Sequence, residues 1–366
     1  MNDDDTGIGP VTVVVCNYEG REHLGPCLDA VGALRGEVAE VLLVDNASTD
    51  GSVEFVREVY PHVRVLARSS NDGPAAARNE GLLEASTRWV LALDNDALVA
   101  PDSLQKLASA AATDPDAVLV QPRSVFDHDP ERVHYDGGAF HYAGLIALRN
   151  FYRPRAEACG EGVVEVDCAV SVALLCDRER LVELGGWDAA YFILFEDLDL
   201  SWRARVRGWK ILSVEDALVR HRHGTAGVSF RDGPRYPERR AFYHARNRWR
   251  FLAKSFSART LFFAAPGLAL YEAAGLCFAL VEGNGGAWLR GKRAFLRQAR
   301  EARGARDSLA VDRRLGDGAL LVGGPLTLTP AVAAGGARRA AAVLLEGALR
   351  LWWVVARVLI SGRPRA

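Results

Sequence analysis

The sequence predicts an α/β fold, a parallel sheet of the nucleotide-binding kind followed by a helical appendage, and three features carry that prediction. Up to about residue 125, short β-branched runs alternate with helical stretches, the rhythm of βαβ units. From about residue 130 to 176, Gly- and Val-rich segments read as strands of a mixed extension of that sheet. After residue 238 the character turns to long apolar runs interleaved with arginine. With 366 residues and 49% hydrophobic content the chain has enough apolar mass for one large or two modest domains, so disorder is excluded as its main state.

Taken in order, "VTVVVCNY", "VLLVDNAS", "VRVLARSS", "WVLALDND" and "AVLVQPRSV" are the five strand candidates, separated by roughly 15 to 25 residues. Ligands of such sheets bind beyond the carboxyl ends of the strands. The first four runs end in polar residues: Asn17; Asp45, Asn46 and Ser48; Ser70 and Asn71; Asp94 to Asp96. Next, "HYDGGAFHYAGLIAL" and "GVVEVDCAVSVALL" read as strands, "DRERLVELGGW" as a helix closed by glycine, "FEDLDLSWRARVRGW" as a helix and "KILSVEDALVRHRH" as a returning strand. There is no internal repeat, and the Gly/Ala-rich stretch near 315 to 340 reads as a linker. The expected division is a disordered N-terminus at 1–10, an α/β domain at 11–250 and a basic, apolar helical region at 251–366.

Charge is distributed unevenly. Residues 1 to 200 carry 15 Lys/Arg against 35 Asp/Glu, and residues 201 to 366 carry 30 against 11. An acidic half suits cations and sugars, a basic half suits phosphates or a membrane surface. Nucleic acid is not expected as a partner, because the arginines are mixed with long apolar runs. Six cysteines without a C-x-x-C pair read as small core residues of a reduced compartment, with neither disulfides nor zinc. The acidic start "MNDDDTGIGP" lacks the features of a signal peptide, so a cytoplasmic location is expected.

Three constellations point to chemistry. At the turn after a strand, Asp94 and Asp96 can bend toward one hard cation such as Mg2+ or Mn2+; the plainer alternative is that they cap the helix starting at "PDSLQKL". Glu196, Asp197 and Asp199 stand together in "FEDLDLSWR", where crowding favours a general base, or else simply complement a helix dipole. His221 and His223 alternate at a strand end and share one face, suiting a metal or a phosphate unless they are ordinary edge residues.

In order along residues 11 to 250, "VTVVVCNYEG", "VDNASTDGS", "NDGPAAARNEGL", "LDNDALV", "GGWDAAYFILFEDLDLSWRARVRGW" and "VRHRHGTAG" resemble the inverting glycosyltransferases of family 2. Their subgroup resembles the bacterial rhamnosyl- and galactofuranosyl-type transferases of cell-surface polysaccharide synthesis. The resemblance implies a GT-A fold, a Rossmann-like nucleotide-binding sheet with a mixed extension on the acceptor side. It implies that Asp45 holds the base or ribose of a nucleotide-sugar with Asn17 and Asn46 nearby, and that Arg78, Asn79, Asp94 and Asn95 line the donor. It further implies Asp94, Asp96 and His221 as metal ligands, His223 being the runner-up, with Asp197 as base beside Glu196 and with Trp187 and Asp188 bordering the acceptor. The Gln-x-x-Arg-Trp motif of processive synthases is incomplete, since Ala245 stands where glutamine belongs before Arg248 and Trp249; that argues against a polymerase.

The rivals are a sugar nucleotidyltransferase and a non-catalytic membrane-bound assembly protein. The first lacks its Gly-rich basic loop, because the first strand runs into "CNYEGREHLGPCL", and the second leaves the 196–199 cluster unexplained. Residues 261–280 and 341–360 are each long enough to span a bilayer of about 30 Å but carry Glu272 in one and Glu346, Arg350 and Arg357 in the other. Pro266 and Gly267 are expected to break the first, and Trp352 and Trp353 suit the headgroup level. The expectation is therefore peripheral or re-entrant association with the inner membrane face, where a polyprenyl-linked saccharide acceptor would present its diphosphate.

Overall fold

A computed structural model describes residues 7–160, 162–224, 227–229, 236–328 and 336–361. The expected disordered N-terminus lies largely outside the described residues. The chain divides into two compact units. One holds the chain up to Gly137 with Arg149–Ala204 and Trp209–His223; the other holds Gly138–Leu148, Arg205–Gly208 and the chain from Gly224 on.

The first unit alternates strand and helix as its sequence predicts: β1 (Val11–Asn17), α1 (Arg21–Gly32), β2 (Val38–Asp45), α2 (Ser52–Val59), β3 (Arg64–Ala67), α3 (Pro74–Glu84), β4 (Trp89–Asp94), β5 (Ala97–Val99), α4 (Ser103–Thr113) and β6 (Ala117–Phe126). After β7 (Val133–Tyr135) the chain leaves this unit for β8 (Gly138–His141) and β9 (Leu145–Leu148), then returns with β10 (Val163–Val166), β11 (Ala173–Asp177), α5 (Arg178–Leu184), α6 (Glu196–Val206) and β12 (Lys210–His221). Strand order is β10-β12-β6-β11-β4-β1-β2-β3, with β5 joined to β12 and β7 to β6. The pairs among β4, β1, β2 and β3 are parallel, whereas β11 runs antiparallel between β4 and β6. All seven residues of β1 are buried because helices cover both faces, which is why its run reads as continuous Val rather than alternating.

Register matters most at the carboxyl ends. Asn17 lies opposite Asp45 and Cys16 opposite Asp94, so three strand-end polar residues are brought to one edge. The helix closed by glycine is present: Asp177 caps α5 through the Arg180 N–H, and Gly185 ends it at φ 82°. Four of the six cysteines are buried core residues; Cys159 and Cys277 are exposed, and all six are free.

In the second unit, α7 (Glu238–Ser255) runs unbroken through residue 250, followed by α8 (Ala258–Val281), α9 (Gly285–Val311), α10 (Asp317–Leu320), β13 (Leu321–Val322) and α11 (Gly336–Ser361). Three expectations are corrected here. The stretch near 315 to 340 is not a plain linker, since α10 forms and β13 adds a parallel strand to β8. Pro266 and Gly267 do not break the helix: α8 continues across both, because the bare Gly267 backbone lets the Tyr142 hydroxyl pack against it and tertiary packing outweighs the lost backbone bond. Trp353 is not placed for a headgroup; its ring is buried in a stack on Tyr142, centroids 5.0 Å apart, where its large apolar area is best covered. Among the described residues, α8 alone is long and apolar enough to cross a membrane, judged by length and composition.

Candidate functional site

The site is built on the carboxyl edge of the first unit's sheet. Asp45, buried at the end of β2, accepts hydrogen bonds from Asn17 Nδ2 (2.7 Å), from the Ser48 N–H (2.8 Å) and from Ser48 Oγ (2.6 Å). Asn17 Oδ1 accepts from Asn95 Nδ2 at 2.6 Å, tying the ends of β1 and β4 together. A side chain at Gly20 would displace both of those amides, so glycine is required there. Asn46 donates to the Gly73 carbonyl (3.2 Å), and Gly73, at φ 88°, packs against the Phe192 carbonyl where no Cβ fits.

β4 ends at Asp94, and the chain turns through Asn95 and Asp96 into β5. Neither carboxylate caps the following helix, whose N-cap position is held by Asp102. The antiparallel pairing of β5 with β12 sets His221 opposite Ala97, bringing its ring to Asp96. His221 Nε2 is 3.2 Å from Asp96 Oδ2, and ligand atoms of Asp94, Asp96 and His221 all lie within 4.8 Å of one another. Two carboxylates and an imidazole so placed fit a divalent cation. His223 is used differently: its backbone N–H donates to Asp96 Oδ2 at 3.1 Å and its ring packs on His23.

Arg78, buried on α3, links this edge to the second acidic group. Its Nη2 donates to Asp94 Oδ1 at 2.6 Å and to the Ser171 carbonyl at 3.2 Å, while Nη1 lies 3.7 Å from Glu196 Oε1. Asn79, one residue on, grips the main chain of Trp187 with both ends of its amide, at 2.7 and 2.8 Å. Ahead of α6, Phe192, Leu194 and Phe195 hold positive φ values of 63°, 67° and 76°, a strained approach that delivers Glu196 and Asp197 as the helix begins.

Asp197 is oriented by donors on both oxygens: the Ser171 N–H on Oδ2 at 2.9 Å, and the Ser171 hydroxyl and Trp187 Nε1 on Oδ1. Burial pushes the Glu196 carboxyl up to about 8, and the Asp197 charge adds to this against the pull of Arg78. Burial also raises the Asp94 carboxyl, opposed by Arg78. Asp199 faces Arg203 at 2.7 Å and serves the fold, and Asp188 caps a short 3-10 turn through the Ala190 N–H.

Residues 12–170 match the Glycosyl transferase family 2 profile. The chain carries a family 2 glycosyltransferase domain. The N-acetylglucosaminyl-diphospho-decaprenol L-rhamnosyltransferase of Mycobacterium tuberculosis is 28% identical over 232 residues, 57% of this chain and 75% of that protein. The succinoglycan biosynthesis protein ExoO of Rhizobium meliloti is 35% identical over 102 residues, covering 28% of this chain and 29% of its own length. GalNAc-T7, solved with UDP, GalNAc and Mn2+, superimposes with a TM-score of 0.55 at 18% identity over 72% of this glycosyltransferase and 51% of its own chain. That likeness concerns the fold, which is of the GT-A type.

Sequence reasoning missed Ser171, which both orients Asp197 and lies against Arg78. Its only signal was a lone hydroxyl inside the apolar run "CAVSVALL". His134, 1% exposed and beside His221, was also missed; nothing in "RVHYD" marks it.

Proposed function

We propose that this glycosyltransferase moves a sugar from a nucleotide-sugar to a lipid-linked saccharide in cell-surface polysaccharide synthesis, with inversion at the anomeric carbon. The observation that carries the reading is Arg78, which holds the Asp94 carboxylate and the Glu196–Asp197 pair on either side of one guanidinium. A cation-binding edge and a base are thereby kept at a fixed separation.

Asp45, with Asn17, Asn46 and Asn95 around it, takes the nucleoside, and Arg78 and Asp94 border the donor. Asp94, Asp96 and His221 would hold Mg2+ or Mn2+, which offsets the charge on a departing diphosphate. Asp197 accepts the proton of the acceptor hydroxyl as its oxygen bonds to the anomeric carbon and the bond to the nucleoside diphosphate breaks. Ser171 and Trp187 keep that carboxylate aimed. Burial biases Glu196 toward its neutral form, which lessens the charge beside Asp197. Asn79 positions the Trp187–Asp188 segment, which borders the acceptor. One displacement inverts the centre, and no covalent intermediate is required.

Membrane association belongs to the same proposal. Phe262 and Leu280 on α8, and Leu344, Leu351 and Val358 on α11, are exposed apolar side chains, each at 62% or more. The charge that mars α8 is answered within the unit: Glu272 accepts from Arg248 and Trp249 and pairs with Lys292 at 2.5 Å. The relative from Mycobacterium tuberculosis is named for a decaprenol-linked substrate, which supports a lipid-linked acceptor here. We propose peripheral or re-entrant contact with the cytoplasmic membrane face.

The deciding experiment incubates the full chain with a panel of nucleotide-sugars, a polyprenyl-diphosphate saccharide and Mn2+ or Mg2+. Release of nucleoside diphosphate with a lengthened saccharide supports the reading; pyrophosphate as product would point to a nucleotidyltransferase instead. Cosedimentation with anionic vesicles at low salt tests the membrane contact, and Phe262→Asp with Leu344→Asp should leave the protein in the supernatant.

A further inference from the structure

We propose that His134 is a positioning residue of the metal site, fixing the ring and tautomer of His221. The inference rests on Asp94, Asp96 and His221 being the cation ligands and extends that reading to a residue that packs against His221.

The geometry begins with a defect in the sheet. In the antiparallel pair of β6 and β7, Ser124 lies opposite Tyr135 but Val125 lies opposite Val133, so His134 is the extra residue of a bulge. A bulge re-aims a side chain, and here the imidazole turns toward β12. The ring is nearly sealed from solvent and wedged between aromatic neighbours, with centroids 4.4 Å from Phe126 and 3.7 Å from Tyr135. Its Nδ1 lies 3.1 Å from Nδ1 of His221. The other nitrogen of His221 faces Asp96.

Two facing ring nitrogens at that distance can share one proton and no more. If the proton sits on His221 Nδ1, His134 accepts it and His221 Nε2 presents a lone pair toward the carboxylates. If it sits on His134 Nδ1, His221 carries its own proton on Nε2 and donates to Asp96. Both arrangements keep each ring neutral with one proton apiece, so passing between them changes no net charge. The first is the only one in which neutral His221 can ligate through Nε2. By accepting, His134 selects it, and by its packing it fixes the plane of the ligand ring. Buried outer partners of this kind change metal affinity by about 10- to 100-fold when removed.

His134→Phe keeps an aromatic ring against Phe126 and Tyr135 but removes the acceptor, whereas His134→Asn restores an oxygen near the place of Nδ1. Mn2+ affinity of the full chain, measured by titration calorimetry with the metal alone, should fall about 10- to 100-fold in His134→Phe and stay near the unmodified value in His134→Asn, with the melting temperatures of the metal-free proteins close together. Unchanged Mn2+ affinity in His134→Phe overturns the inference. Should the Phe variant fail to fold, 15N spectra of histidine-labelled unmodified protein with Mg2+ decide: a protonated Nδ1 on His221, identified by its loss in His221→Gln, is required, and an unprotonated one refutes the role. Asp96→Asn and His221→Ala serve as controls. If both bind Mn2+ as the unmodified chain does, the ligand assignment itself is wrong and the role of His134 goes with it.

Discussion

Both units bury charge, and they balance it differently. At the sheet edge the Arg78 guanidinium lies between Asp94 and Glu196, with Asp197 next to Glu196 and Asp96 close to Asp94. In the helical unit one carboxylate, Glu272, is matched by Arg248 at 2.5 Å and by Lys292, whose ammonium burial has brought down to about 8. A surplus of buried negative charge is unfavourable unless a proton or a cation answers it, and the Glu196 carboxyl shows that response in its raised pKa. A carboxylate met by two cations asks for no further partner and lets an apolar helix carry a charge. In the proposed reading the surplus serves the site, and the answered carboxylate serves the fold.

Four changes break or sharpen that contrast. The largest effect is expected from Asp96→Asn, which removes a ligand from the surplus: transfer should be abolished and Mn2+ binding lost while the circular dichroism spectrum is kept. Near-normal turnover in EDTA would show that the surplus does not serve a cation. Asp197→Asn keeps shape and removes the proton acceptor, so kcat should fall by about 10² to 10⁴ with donor affinity retained. An equal loss of donor affinity would reassign the residue to binding.

In the helical unit's cluster, Glu272→Leu leaves Arg248 and Lys292 without their carboxylate and should cost about 3–5 kcal/mol in denaturant unfolding, most of it regained in the triple variant with Arg248→Met and Lys292→Met. If the single variant unfolds like the unmodified chain, the cluster is not holding α8. The fourth change is in pH dependence. The Glu196 carboxyl is raised from 4.5 to about 8, so between those values the folded chain keeps a proton that the unfolded chain releases, and stability from this group is lost as pH rises through that window. Glu196→Gln should therefore gain in Tm over the unmodified chain by pH 8 and converge with it below pH 4.5. A constant difference across a pH series would contradict the burial argument.

Much of the sheet was legible because its signals are local. β-branched runs separated by helical stretches give β1 to β4 and β6, and Asp177 with Gly185 brackets α5 from either end. The polar strand ends also read directly, since Asn17, Asp45 and Asp94 each follow an apolar run and parallel pairing brings such ends to one edge. α8 was misread at Pro266 because a local breaker was weighed without Tyr142, which lies more than a hundred residues earlier in the chain.

What the sequence alone determined about this glycosyltransferase is its resemblance to family 2, carried by six motifs in order, together with its α/β order and the polar residues at its strand ends, which are signals read over a few neighbouring residues. The tertiary structure decided which of those residues meet. Arg78 reaches Ser171 across 93 positions and His134 reaches His221 across 87, contacts set by the insertion of β11 between β4 and β6 and by a bulge in β7. No local pattern encodes them, since the free energy that fixes strand order comes from burying both faces of the whole sheet.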